Sequence, residues 1–165
     1  MKVAVKDACV LIDLANGGLL DAWFQLGIET FTTDLVLRQV KAEHQWKIVS
    51  PFVEAGLLKV QTLSGDQLHR MNQSLEGSRI GIEDRNVLFL AIEQDAILIT
   101  GDRRLRIEAT ARKLDVRGLL WVLDELVGRG AIAPKLAAVR PQLMREQGAF
   151  LPSADSEKRI ESWTR

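Results

Sequence analysis

The sequence predicts a single α/β domain, and three observations lead to that class. Short apolar segments typical of strands alternate along the chain with segments whose apolar residues follow helical spacing. The segment 96–100 is apolar without alternation, as in a strand of a parallel sheet that helices cover on both faces. The chain has 165 residues, of which 47% are hydrophobic and 27% are charged, as expected for one globular domain.

Strands are predicted where short runs of apolar and β-branched residues lie between polar or glycine-containing segments. In chain order these runs are 3–5, 29–32, 57–62, 96–100 and a short one around Val116. No internal repeat, low-complexity segment or linker interrupts them, so the strands and helices are expected to form one unit.

Helices are predicted where apolar residues are spaced by three and four and a capping residue precedes them. In chain order the helices start at Asp7, Leu19, Thr33 or Asp34, Ser50, Ser64, Glu83, Asp102, Leu119 and Pro134. The third continues through Val40 and beyond. Ser50-Pro51 indicates a new start because proline suits the first helical position. The helix at 83–94 is apolar almost all round after its first turn, which predicts burial, and Pro141 is expected to kink or end the last helix.

Charge and cysteine content exclude several classes of protein. Lys plus Arg and Asp plus Glu both total 22, so no bulk attraction to nucleic acid is expected and phosphate contacts must come from local clusters. Cys9 is the only cysteine, which excludes an intrachain disulfide and a cysteine-based zinc site. The start of the chain lacks the features of a signal peptide, and no apolar run approaches membrane-spanning length. We therefore expect a cytoplasmic protein with no membrane partner.

Three aspartates stand where an apolar run gives way to a helix. Asp7 and Asp102 follow predicted strands, and Asp84 lies in the first turn of the predicted buried helix. Residues just beyond the ends of parallel strands collect along one crevice, where such folds bind ligands. Carboxylates gathered there repel one another unless a cation lies between them. Mg²⁺ and Mn²⁺ prefer carboxylate and water oxygens, so the pattern indicates a site for one of these ions.

Helix capping is the alternative interpretation of these aspartates. Asp is a favoured N-cap residue, and acids in a first helical turn are stabilised by the helix dipole. Every helix needs a start, so the positions alone do not decide between capping and metal binding.

Three segments together resemble the PIN domain family. Residues 5–14, Val-Lys-Asp-Ala-Cys-Val-Leu-Ile-Asp-Leu, resemble the family's opening strand and helix. Residues 99–105, Ile-Thr-Gly-Asp-Arg-Arg-Leu, resemble its Thr-x-Asp element at a later strand end. Asp84, followed seven residues later by Ala91, resembles the helix between them. The elements occur in family order, and the resemblance covers at least Met1 to about Pro134.

The resemblance implies a fold and an activity. The fold would be a Rossmann-like three-layer α/β/α domain with a central parallel sheet of four to five strands, over residues 1–147. Residues 148–165 would form a C-terminal tail packing on the domain or on a partner. The activity would be that of an endoribonuclease dependent on Mg²⁺ or Mn²⁺, as in the VapC-type toxins of bacterial toxin–antitoxin pairs. Asp7, Asp84 and Asp102 would be the metal ligands, and Thr100 would orient them through its hydroxyl.

The same resemblance implies partners beyond the RNA substrate. A toxin would have an antitoxin, encoded next to it, whose peptide covers the acidic crevice. A homodimer is likewise implied by the family and is not visible in the residues themselves.

One position departs from the family pattern. The family's second acid is usually a Glu in a Val-x-x-Glu-like helix, and here Gln39 stands at that place after Val36. An amide oxygen brings no negative charge to a cation. Glu43 lies four residues further on the same predicted helical face and could serve as a catalytic acid, or it could pair with Lys47 at i+4. The alternative function is therefore a catalytically weakened module that binds RNA or a protein without cleaving.

Two arginines lie next to the proposed ligands. Arg85 follows Asp84 and Arg103 follows Asp102. Either side chain could hold a phosphate of the RNA, and either could equally be part of a solvated helix face.

Overall fold

The α/β class is confirmed by the structure, a computed structural model that describes residues 1–5, 8–146 and 151–165. The described strands are β1 (Lys2–Val5), β2 (Glu29–Thr33), β3 (Leu58–Gln61), β4 (Ile97–Ile99) and β5 (Val116–Arg117). The described helices are α1 (Ala8–Asn16), α2 (Leu20–Gln25), α3 (Asp34–Leu37), α4 (Glu43–Glu54), α5 (Gly65–Ser74), α6 (Ile82–Glu93), α7 (Arg103–Ala111), α8 (Leu119–Gly128), α9 (Pro134–Glu146) and α10 (Ser153–Thr164).

The described strands form one parallel sheet in the order β3-β2-β1-β4-β5. The first strand of the chain is therefore the central one, pairing Val3 with Thr30 of β2 and with Ile97 of β4. The chain runs outward from β1 to β3 on one side and from β4 to β5 on the other. In open parallel sheets the crevice where the strand order reverses, at the carboxyl ends of the strands, is the usual ligand site.

Two hydrophobic cores cover the two faces of this sheet. Successive residues of β4 point to opposite faces: Leu98 packs with residues of α5, α6 and α7, and Ile99 packs with residues of α1, α2, α8 and α9. The α6 residues from Val87 to Ala91 are at most 5% exposed. The prediction of a buried helix at this place is confirmed, because an all-apolar helix requires cover on every side.

The prediction of one helix running from Thr33 or Asp34 beyond Val40 is wrong. The helix α3 ends at Leu37, where the amides of Gln39 and Val40 donate to carbonyls three residues back, both at 3.0 Å. Such i to i−3 bonds tighten the backbone and take it off the α-helical path. Val40 is buried at this turn, so an apolar residue that sequence spacing assigned to a helix face instead anchors a turn.

The prediction of a helix start at Ser50-Pro51 is also wrong, and Pro141 does not end the last helix, so a kink there stays a prediction. Pro51 lies inside α4, and α9 continues past Pro141 to Glu146. Proline removes one helical hydrogen bond, at a cost of about 3 kcal/mol, and packing offsets it. In α4, Val49 is fully buried and the Phe52 ring stacks on Phe24 with centroids 4.9 Å apart.

The C-terminal segment, predicted as a polar tail, contains the helix α10. The helix α10 packs against α9, and Trp163 and Leu151 lie in the same core as α1 and α8. The guanidinium Nε of Arg159 donates to Asp124 Oδ2 of α8 at 2.6 Å. No helix in the described ranges 1–5, 8–146 and 151–165 has the length and apolar character needed to span a bilayer.

Candidate metal centre

Asp102 is held firmly at the carboxyl end of β4. It is the N-cap of α7, and its Oδ1 accepts the backbone N–H of Leu105 at 2.8 Å. The hydroxyl of the fully buried Thr100 accepts the backbone N–H of Asp102 at 3.0 Å. A guanidinium N–H of Arg106 donates to the Thr100 carbonyl at 3.0 Å. Capping uses one oxygen of the Asp102 carboxylate, and a carboxylate has a second oxygen with free lone pairs.

Asp84 lies in the first turn of α6, as predicted from the sequence. The helix α6 leads into β4 through a short connection at 94–96, so it runs antiparallel to that strand. Its N-terminus therefore lies at the same edge of the sheet as the N-terminus of α7, and the two helices contact each other. The fold thus places Asp84 and Asp102 at the starts of adjacent helices on one edge.

Asp7, the third predicted ligand, lies outside the described residues. The described part of β1 ends at Val5, in the centre of the sheet. Over the described residues alone, no group of three or more His, Cys, Asp or Glu side chains is placed to hold a metal ion. Mg²⁺ in proteins usually takes one or two carboxylates and keeps several waters. Asp84 and Asp102 supply two carboxylates, so the chemistry of this donor set fits such an ion.

Gln39 and Glu43 do not lie on one helix. Gln39 is exposed in the turn after α3, and Glu43 is the first residue of α4. The Lys47 ammonium lies 2.7 Å from the Glu43 carboxylate, whose side chain is 81% exposed. The pairing that the sequence left open is therefore present. The two residues do not share a helical face, contrary to the prediction, because α3 ends at Leu37 and α4 begins at Glu43.

The two arginines beside the proposed ligands have different surroundings. Arg85 turns back into its own loop, where it donates to the carbonyl of Ser78 at 2.7 Å and of Ile80 at 3.2 Å. These bonds hold the segment that precedes α6 and use two of the five N–H groups of the guanidinium. Arg103 is exposed at the first position of α7.

Asp34 is an acid at this edge that the sequence reading treated only as a cap. It directly follows β2, the neighbour of β1, and begins α3. Thr33 caps that helix by accepting the N–H of Val36 at 3.2 Å, and Arg38 lies 3.4 Å from the Asp34 carboxylate. The sequence carries a signal for Asp34, since at both Asp34 and Asp102 an acid follows a strand and a threonine and stands at the start of a helix.

A model of a protein family described as a PIN domain matches residues 3–165. The chain belongs to this PIN domain family, whose members are generally nucleases that use divalent metal ions. The match includes the C-terminal residues that form α10. No curated protein matches the chain.

Proposed function

We propose that the protein is an endoribonuclease that hydrolyses RNA phosphodiester bonds with Mg²⁺ or Mn²⁺. The observation that carries the proposal is the placement of Asp84 and Asp102 at the starts of two contacting helices, both on the carboxyl edge of a parallel sheet. Asp7 follows the central strand in the sequence and completes the proposed set of ligands.

The described residues account for positioning and charge. The cap to Leu105 and the bond from the Asp102 amide to Thr100 fix the direction of the Asp102 carboxylate. When bound, the metal would activate a water and neutralise charge on the phosphoryl oxygens. One of the carboxylates would orient that water or accept its proton, a role open to any acid within hydrogen-bonding reach.

The test compares Asp84→Asn and Asp102→Asn with the wild type in Mn²⁺-dependent cleavage of a labelled single-stranded RNA. Asn caps helices as well as Asp does, so Asp102→Asn removes the charge and keeps the fold. We expect both variants to lose cleavage. Asp155→Asn is the matched control, because Asp155 is an exposed acid in the first turn of α10 and should not affect the rate. Cleavage at the wild-type rate by both edge variants would reject the mechanism.

A second function is favoured by the surroundings of Gln39 and Glu43. Neither residue brings a free carboxylate to the edge, since one is an amide and the other is paired with Lys47. On this reading the protein binds RNA or a protein partner without cleaving it. Titration calorimetry with Mn²⁺ separates the two functions: absence of binding at millimolar metal, in a protein that still binds RNA, would favour the binding module.

A role as a toxin would add an antitoxin and a homodimer as partners. A cleft of about 340 Å³ opens beside Asp34 and is lined in part by Leu37, Val40 and Trp46. An antitoxin peptide bound there would cover the acidic edge. The test is to co-express the product of the adjacent gene and to measure cleavage and the mass of the complex, and unaltered cleavage with no complex would reject this role.

A further inference from the structure

The first turn of α7 contains two consecutive arginines at a place where positive charge is unfavourable. Arg103 and Arg104 are its first two residues, and the turn contains no acid. The N-terminus of a helix is the positive end of its dipole, so cations there are destabilising. Both side chains are exposed. Local rules are broken in this way chiefly at functional sites.

Neither arginine has an acidic partner among the residues that the structure describes. Cations further along the same part of the chain do have one: Arg112 pairs with Glu108 and Arg117 pairs with Asp115. Arg106 is tied instead to the Thr100 carbonyl, so Arg103 and Arg104 are the adjacent exposed cations left at the end of α7 that lies at the carboxyl edge of the sheet, beside Asp102.

A third exposed arginine belongs to the same edge. Arg79 lies in the loop before α6, between the buried Ser78 and Ile80, so its side chain points outward. The bonds from Arg85 to the carbonyls on either side hold the loop in this position. No ion pair to Arg79 is formed within the described ranges. Since α6 and α7 contact each other and start at one edge, Arg79 and the α7 arginines belong to the edge of the sheet where Asp84 and Asp102 lie.

We propose that Arg79, Arg103 and Arg104 form a cationic rim that binds backbone phosphates of single-stranded RNA on either side of the bond to be cleaved. The inference rests on the proposed function, and it moves the phosphate contacts from Arg85 to Arg79 and Arg104. Guanidinium groups suit this role because they bind phosphate through two N–H groups and also stack on unpaired bases. A flexible single strand can bring one phosphate into the crevice between two helix starts while its neighbours meet the rim.

The rim predicts a specific salt dependence of RNA binding. Each phosphate contact to a single strand contributes about 0.7 to the slope of log affinity against log salt concentration. Replacing all three arginines by Gln should lower the slope by about 2, and it should weaken binding about 100-fold at 0.1 M salt. The measurement is fluorescence anisotropy with a short labelled single-stranded RNA, in EDTA so that the probe is not hydrolysed.

The matched control removes three exposed cations from the other side of the sheet. Lys135, Arg145 and Lys158 lie on α9 and α10, which pack in the opposite core. Replacing these three by Gln should leave the slope close to the wild-type value. The proposal is overturned if the salt slope is unchanged in the rim variant or falls equally in the control variant. It is also overturned if the wild-type protein binds a duplex RNA of the same length as tightly as the single strand.

Failure of the rim and failure of the proposed function give different results. If the wild-type protein cleaves RNA with Mn²⁺ and the rim variant has the wild-type salt slope of RNA binding, only the proposal of the rim is rejected. If the wild-type protein does not cleave RNA but the rim variant shows the lower salt slope of RNA binding, the nuclease function is rejected and RNA binding by the rim is supported.

Discussion

Thr100 and Asp102 show how a single strand end positions a reactive side chain. The buried hydroxyl of Thr100 accepts the amide of Asp102, and the Asp102 carboxylate accepts the amide of Leu105. The first bond holds the backbone of Asp102, and the second holds its carboxylate. The family resemblance implied that Thr100 acts on the acids through its hydroxyl, and the contact that the structure provides goes through the backbone of Asp102.

Thr100→Val should lower stability and cleavage together. The substitution keeps the shape of the side chain but leaves the Asp102 amide without its acceptor, a loss of about 1–3 kcal/mol for a buried group. Cleavage should fall through kcat more than through KM, because Asp102 is misplaced and RNA contacts remain. Urea unfolding and steady-state cleavage measure the two effects. Thr100→Ser keeps the hydroxyl and should have near wild-type stability and cleavage. If it is as impaired as Thr100→Val in both, the role of the hydroxyl is contradicted.

Arg85→Gln should destabilise the fold and leave RNA binding unchanged. The guanidinium makes two bonds to loop carbonyls, and bonds from a charged donor contribute about 1.5–3 kcal/mol each. We expect a loss of about 3 kcal/mol in urea unfolding, the low end for two partly buried bonds, with an unaltered salt slope for RNA. If the variant has wild-type stability and a lower salt slope of RNA binding, Arg85 binds a phosphate of the RNA instead.

At the scale of elements, the break between α3 and α4 decides which acids share the carboxyl edge. Sequence spacing placed Gln39 and Glu43 on one helix, and no local signal marks the turn at Leu37. Tertiary packing accompanies the turn, since the buried Val40 borders the cleft that Trp46 of α4 and Val60 of β3 also line. In contrast, Ser64 and Asp102 were predictable as N-caps because capping depends on residues within one turn.

Glu43→Gln and Asp34→Asn should therefore differ in their effect on metal binding. Glu43 is exposed and pairs with Lys47, so its replacement should cost only about 0.3–0.5 kcal/mol of helix stability. Asp34 also has a cation nearby, Arg38 at 3.4 Å, but its side chain is only 23% exposed and the residue directly follows β2, so it should contribute negative charge to the edge. Calorimetry with Mn²⁺ should show weaker binding for Asp34→Asn alone. An equal loss of Mn²⁺ affinity in both variants would indicate that Glu43 also contributes to metal binding.

At the scale of the whole molecule, the sheet order brings sequence-distant residues to one edge. The α/β class followed from the alternation of patterns, and the aspartates at the starts of α6 and α7 followed from strand and cap signals. The tolerance of Pro51 and Pro141 inside helices and the docking of α10 depend on packing between distant elements. A single sequence does not display such packing.

Mn²⁺ should raise the thermal stability of the wild-type protein. A ligand that binds only the folded state stabilises it by about 2.7 kcal/mol when its concentration is a hundredfold above Kd. The Asp84→Asn, Asp102→Asn double variant should show no such rise in Tm. Differential scanning calorimetry with and without the metal measures it, and an equal rise in both proteins would place the ion elsewhere.

The central position of β1 has a consequence for synthesis of the chain. The strand β1 is translated before both of its neighbours in the sheet, and one of them pairs Ile97 with Val3. Until residue 99 has emerged, β1 has an unpaired edge with a row of free N–H and C=O groups, which can pair with another nascent chain. The interval between translation of β1 and of β4 is therefore when this protein is most exposed to misassembly, and slowing translation between them should lower its soluble yield.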